Sequence, residues 1–209
     1  EKLAAVREKL AAQKAGAMLV TRLDSVAWLL NLRASDIAYN PFALAYCLVE
    51  ENTARLFINA ARVPEDVQAA LKAQGVELCG YEQARSALAA MEGPVTVLYE
   101  PAGTSWAMLC ALEENPAVTL QEGEEPVQAL KGVKNETEIV RMKQAHRKDG
   151  AAMVRFEIEL RRRLAAGESW TEMEASDYLL GLRRAQEENL GASFETIAAY
   201  GPNAAMMHY

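Results

Sequence analysis

The sequence predicts an α/β layer fold with a mixed sheet and flanking helices, followed by a second, mainly helical segment. Three observations carry this reading. Short apolar runs alternate with helix-period stretches over roughly the first 130 residues. Two of those runs are separated only by Glu50, Glu51 and Asn52, which suits a hairpin and makes the sheet mixed. The longest helical pattern in the chain then begins near Asn135.

Each element follows from a local signal. Leu3, Val6 and Leu10 share one face of a helix over residues 1–15, and Ala17 to Val20 is a short run of the buried-strand kind. Asp24 is expected to cap a helix carrying Val26, Trp28, Leu29 and Leu30. Asn31 to Pro41 mixes Ser, Asp, Asn and Pro and predicts an exposed loop. Strands near 43–49 and 53–58 follow, then a helix opened by Pro64 and stopped by Gly75. Val76 to Cys79, Val95 to Tyr99 and Ala117 to Leu120 predict three more strands. Helices over Tyr81 to Met91 and Thr104 to Glu113 alternate with them. From Gln121 to Lys134 the composition shifts to Gly, Glu, Pro and Lys, which suits a linker and divides the chain into residues 1–130 and 131–209.

Beyond that point, Asn135 and Glu138 form a capping box. Ile139, Met142, Ala145, Met153, Phe156, Leu160 and Leu164 recur on one helical face, and Gly167 ends the helix. Thr171 with Glu174 predicts a second capped helix running to about Glu188, after which the chain turns at Gly191 and is extended from Phe194. Ala204 to Tyr209 is an apolar, strand-like run. Glu1 starts inside a helical pattern and the last residues lack a polar tail, so both ends have the look of cuts.

Composition narrows the function. The net charge of −7 over 209 residues, with both signs interleaved, argues against nucleic acid or an anionic membrane as partner. Arg161 to Arg163 and Arg183 to Arg184 are expected on solvated helix faces. Cys47, Cys79 and Cys110 are scattered, without metal-type spacing, and read as buried structural thiols in a reducing compartment. No apolar run approaches the roughly 18 residues of a membrane span. These features point to the cytoplasm.

Chemical motifs are sparse. There are two histidines, and His146 falls mid-helix, where a packing or surface role is expected. Asp149 lies near the apolar stripe and should need a hydrogen-bond partner. No phosphate loop, nucleophile elbow, HExxH or Cys/His cluster is present. From residue chemistry alone the chain is an α/β domain with a helical extension.

Three segments, in order, resemble the three-domain Xaa-Pro aminopeptidases of the creatinase/prolidase-like metallopeptidases. Trp28 to Pro41 resembles a segment of their middle domain. Lys134 to Ile139, continued by Ala145 to Gly150, is similar to the entry of their catalytic domain. Ser193 to Ala198, then Tyr200 to Ala205 and His208-Tyr209, is similar to a third stretch.

The resemblance implies a creatinase-like α/β domain followed by the start of a pita-bread metallopeptidase domain. It implies removal of an N-terminal residue that precedes proline, with two divalent metals, commonly manganese. All five expected metal ligands lie beyond the counterpart of Tyr209, so none is assigned here and the chain alone is expected to be inactive. His208 matches a histidine that is not a ligand but stabilises the reacting peptide group; Phe194 and Met207 match positions lining the pocket for the substrate's first residue. For these two an ordinary core role stays open, as does for His208 the plain role of a histidine ending a strand. So does the placing of Arg33 and Asp36, either toward the active-site cleft or against each other. A homodimer is the family expectation. A prolidase or creatinase on the same fold, and a non-catalytic binding module that has lost its ligands, remain the alternative readings.

Overall fold

The computed structural model describes residues 1–206. The chain divides into two compact units, Glu1–Val133 and Lys134–Tyr209.

The first unit is built on a six-stranded sheet. Its strands are β1 (Ala17–Val20), β2 (Tyr46–Glu50), β3 (Ala54–Ile58), β4 (Val76–Gly80), β5 (Val95–Tyr99) and β6 (Val118–Glu122), in the spatial order β4-β3-β2-β1-β5-β6. β2 is antiparallel to both neighbours, while the β3–β4, β1–β5 and β5–β6 pairs are parallel. The predicted hairpin is present, with Tyr46 opposite Phe57 and Val49 opposite Ala54.

Side chains alternate between two cores, as the strand period requires. Met18, Val20, Cys47, Val49, Leu56 and Leu98 face one side. There they meet α1 (Lys2–Ala12), α2 (Leu23–Leu30), α3 (Glu65–Ala73) and α6 (Pro126–Gly132). Ala17, Leu19, Leu48, Phe57 and Val97 face the other side, against α4 (Ala84–Ala89) and α5 (Trp106–Glu113). Burial on both faces is why β1 and β2 read as nearly unbroken apolar runs.

Local punctuation explains most boundaries. Asn31 ends α2 in the left-handed region at φ 52, which Asn tolerates better than most residues. Its side chain accepts from Lys2, which also donates to the Trp28 carbonyl at 2.6 Å and sits over the Trp28 ring. Gly75, at φ 75, follows the end of α3.

The structure departs from the sequence reading in several places. Asp24 is not the cap of α2: Arg22 holds that position, and Asp24, in the first turn, pairs with Lys131. Gln121–Lys134 is not a linker, because it completes β6 and then forms α6, whose Val127 is fully buried. Cys47 is buried, and burial pushes its thiol up to about 12, but Cys79 and Cys110 are only half-buried.

The second unit contains two helices, α7 (Glu136–Ala165) and α8 (Glu172–Arg184). Both predicted capping boxes are made, Asn135 with Glu138 and Thr171 with Glu174. Asp149 has the partner it required, Arg183 of α8 at 2.6 Å. Trp170 lies between Phe156 and Tyr178, with the Arg163 guanidinium 4.5 Å from its ring centroid. Among the described residues of this unit only Ala152 and Leu179 are buried hydrophobics, and Met142, Met153, Ile158 and Leu164 of α7 are exposed. α8 stops at Arg184, short of Glu188, which has φ 62. The strand expected from Ala204 is not seen over the described residues; Pro202 at φ −58, ψ −35 starts a short 3-10 turn, Asn203–Ala205.

Candidate functional residues

Of the three residues singled out for function, Phe194 lies in the coil after α8, and His208 and Met207 lie outside the described residues. Phe194 is 70% exposed, so it is not a core residue of this unit. Its segment is tethered further along by Glu172 at the start of α8, which accepts from the Tyr200 amide at 2.6 Å and from the Asn203 side chain at 3.0–3.1 Å. A carboxylate holding two separate donors fixes that stretch of backbone next to the α8 N-terminus.

His146 is exposed on α7, beside a shallow groove of about 370 Å³ that Ile139, Met142, Lys143 and Arg147 also line. Among the described residues no three His, Cys, Asp or Glu side chains stand together to hold a metal. The described residues therefore do not by themselves fit a dinuclear metal centre.

In the first unit the loop from Asn31 to Pro41 is held by its own charges. Arg33 donates to the Ala27 carbonyl at 2.8 Å and to the Leu32 carbonyl at 2.9 Å. Asp36 accepts from the Leu44 amide at 3.0 Å and pairs with Arg62 at 2.7 Å. Arg33 and Asp36 thus do not pair with each other, and each ties the loop to a different neighbour. Both line a cavity of about 300 Å³ with Ala43, Ile58 and Val67. Asp36→Ala removes an exposed bond to the Leu44 amide and the ion pair to Arg62, and should cost about 0.5–1.5 kcal/mol. Urea denaturation of the wild type and variant measures this, and an unchanged midpoint would show that water replaces the carboxylate at no cost.

β1 and β5 are parallel neighbours, yet the helices that follow them cover opposite faces of the sheet. Such a topological switch point is where open α/β sheets often bind ligands. Here the chain itself fills the crevice. Arg22 bonds Glu100 at 2.5 Å, and the Thr21 hydroxyl donates to the Gly103 carbonyl at 2.7 Å. A Cβ at Gly103 would lie 2.9 Å from a Glu100 oxygen, so that side chain would have to shift to admit one. Behind the plug sits Glu125, 4% exposed, with one carboxyl oxygen lacking any hydrogen-bond partner. Sequence reading missed Glu125 because it fell in the supposed linker. The signal that could have found it is Pro126 at the first helical position, followed by Val127 and Leu130 three apart.

Comparison with known proteins places this geometry. The Creatinase/Prolidase N-terminal domain family matches residues 1–138, and Metallopeptidase family M24 matches residues 140–209. Over its whole length the chain is similar to a probable Xaa-Pro aminopeptidase P of Sordaria macrospora, 34% identical over 219 residues. It is likewise similar to one of Pyricularia oryzae, 37% identical over 221. It covers 35% of each, so it spans about a third of the length of the curated relatives it matches. Among solved structures, an X-prolyl aminopeptidase of Caenorhabditis elegans, described as a cytosolic enzyme with a di-nuclear active site, superposes with a TM-score of 0.90. That match is at 35% identity, over all of this chain and 34% of the other. An X-Pro aminopeptidase of Thermotoga maritima, at TM-score 0.58 and 21% identity, shares the fold over 93% of this chain and 53% of its own. The chain belongs to the creatinase/prolidase N-terminal domain family over its first unit, and its residues 140–209 match Metallopeptidase family M24.

Proposed function

We propose that this chain is part of a metal-dependent aminopeptidase that removes the N-terminal residue from peptides with proline in second position. The observation that carries the reading is the unbroken similarity to Xaa-Pro aminopeptidases across both units, at 34–37% identity, together with the fold match at TM-score 0.90. In this reading the first unit is the accessory domain, consistent with a switch-point crevice that is filled from within. Two divalent metals, manganese by expectation, belong to residues other than the described ones. The cytosolic setting given for the Caenorhabditis elegans enzyme is proposed for this protein too, as is a homodimer of the full-length form.

The chain's own contribution to the reaction would come from its last residues. A His208 imidazole can donate a hydrogen bond to the oxygen on which negative charge develops. Phe194 and Met207 would line the pocket for the first residue, and the exposure of Phe194 leaves its ring available for such a contact.

The test is manganese-dependent release of the first residue from a short Xaa-Pro-Pro peptide, by a protein extended to the relatives' length and by this chain beside it. Activity is expected only in the extended protein. Turnover by the present chain above a metal-only blank would overturn the assignment of catalysis to residues outside it. Silence in both, with manganese bound and the fold intact, would instead favour the non-catalytic peptide-binding module.

A further inference from the structure

We propose that Glu125 is a proton-controlled latch: with its carboxyl neutral, α6 stays seated on α2, and with the carboxyl ionised, α6 is released. The geometry comes first. α6 is the last element of the first unit, and it is seated by a few contacts: Val127 in the core, Leu130 against it, Gln128 donating to the Ser25 hydroxyl at 2.6 Å, and Lys131 paired with Asp24. Glu125 stands immediately before this helix; its carbonyl accepts from the Gln128 amide at 3.0 Å, while its side chain points into the protein. A carboxylate buried with an unpartnered oxygen is expensive, whereas a neutral carboxyl in the same place costs far less.

The surroundings reinforce this preference. Arg22, a cation that favours the ionised form of Glu125, is bonded to Glu100. Glu100 itself, beyond β5, and Asp24 on α2 disfavour a further negative charge. Lys131, on α6 itself, is paired with Asp24. Beneath, β2 offers Cys47, whose thiol stays neutral, and α1 turns Leu3, Val6 and Leu10 inward. The Ser25 hydroxyl offsets only part of the burial, which pushes the Glu125 carboxyl to about 7 from an ordinary 4.5. The folded value lies above the unfolded one. Docking is therefore fully supported below about 4.5 and loses support as pH rises through about 7.

Hydrogen exchange of the amides of residues 127–132, corrected for intrinsic rates, tests the latch. A carboxyl titrating near 7 when docked and near 4.5 when released gives roughly 30-fold loss of α6 protection between pH 5.5 and 8.5. In Glu125→Gln, which keeps the shape without the titration, protection should not change with pH. Carboxyl-carbon NMR of the wild type gives an independent reading, with an inflection near 7 expected. Equal pH dependence in wild type and Glu125→Gln, or a Glu125 titration near 4.5, would overturn the proposal.

Discussion

His208→Ala, made in a protein extended to the length of its relatives, should lower kcat on an Xaa-Pro-Pro peptide by ~10²–10³ and leave KM nearly unchanged. The split between the two constants follows from the role proposed for the imidazole. A donor aimed at an oxygen that becomes negative only in the transition state strengthens as charge develops, so its loss falls on kcat rather than on ground-state binding. The magnitude corresponds to about 2.7–4 kcal/mol of transition-state stabilisation. His208→Gln separates donation from titration. An amide can still donate a hydrogen bond, so part of the rate should return, and any limb of the pH–rate profile that belongs to the imidazole should vanish. A rise in KM with kcat intact would instead make His208 a substrate-binding residue. If neither constant changed, the residue would lie outside the reacting site.

What the sequence disclosed was governed by how local each cause is. Capping boxes at Asn135–Glu138 and Thr171–Glu174 are set by residues three apart, and both are found as expected. β1 and the middle of β2 were legible because burial on both faces leaves no polar residue to break their apolar runs. α6 was not legible, because Gly123, Glu124, Glu125 and Pro126 together look like a tether. What makes this segment a helix is non-local: Val127 in the core, Gln128 on Ser25 and Lys131 on Asp24, each about 100 residues away in sequence. The same partner drew Asp24 away from capping. The loop charges Arg33 and Asp36 could be picked out as notable, but not their partners, since Leu44 and Arg62 are fixed only once the chain has closed around them. As for the candidate site, Phe194 was found through resemblance, and nothing in its neighbours' chemistry marked it.

Phe57→Ala should destabilise the first unit by about 3–5 kcal/mol, the largest stability effect expected of any single truncation in this sheet. Phe57 is fully buried toward the open end of the hairpin, across from Tyr46 on β2 and Cys79 on β4. It packs on the face covered by the short helices α4 and α5, among Leu19, Leu48 and Leu88. Two helices of six and eight residues can shift little toward a void without uncovering Leu88 or Leu112, so most of the cavity should persist. A persistent void adds its own cost to the lost transfer energy, which puts the expectation at the upper end of core truncations. For a domain of this size the loss corresponds to a fall in Tm of about 10–20 °C. Phe57→Leu keeps most of the volume and should cost about 1–1.5 kcal/mol. Thermal or urea unfolding followed by far-ultraviolet circular dichroism measures both variants. A Phe57→Ala loss near 1 kcal/mol would mean that α4 and α5 collapse into the space, and that the second face of the sheet is a more yielding layer than the first.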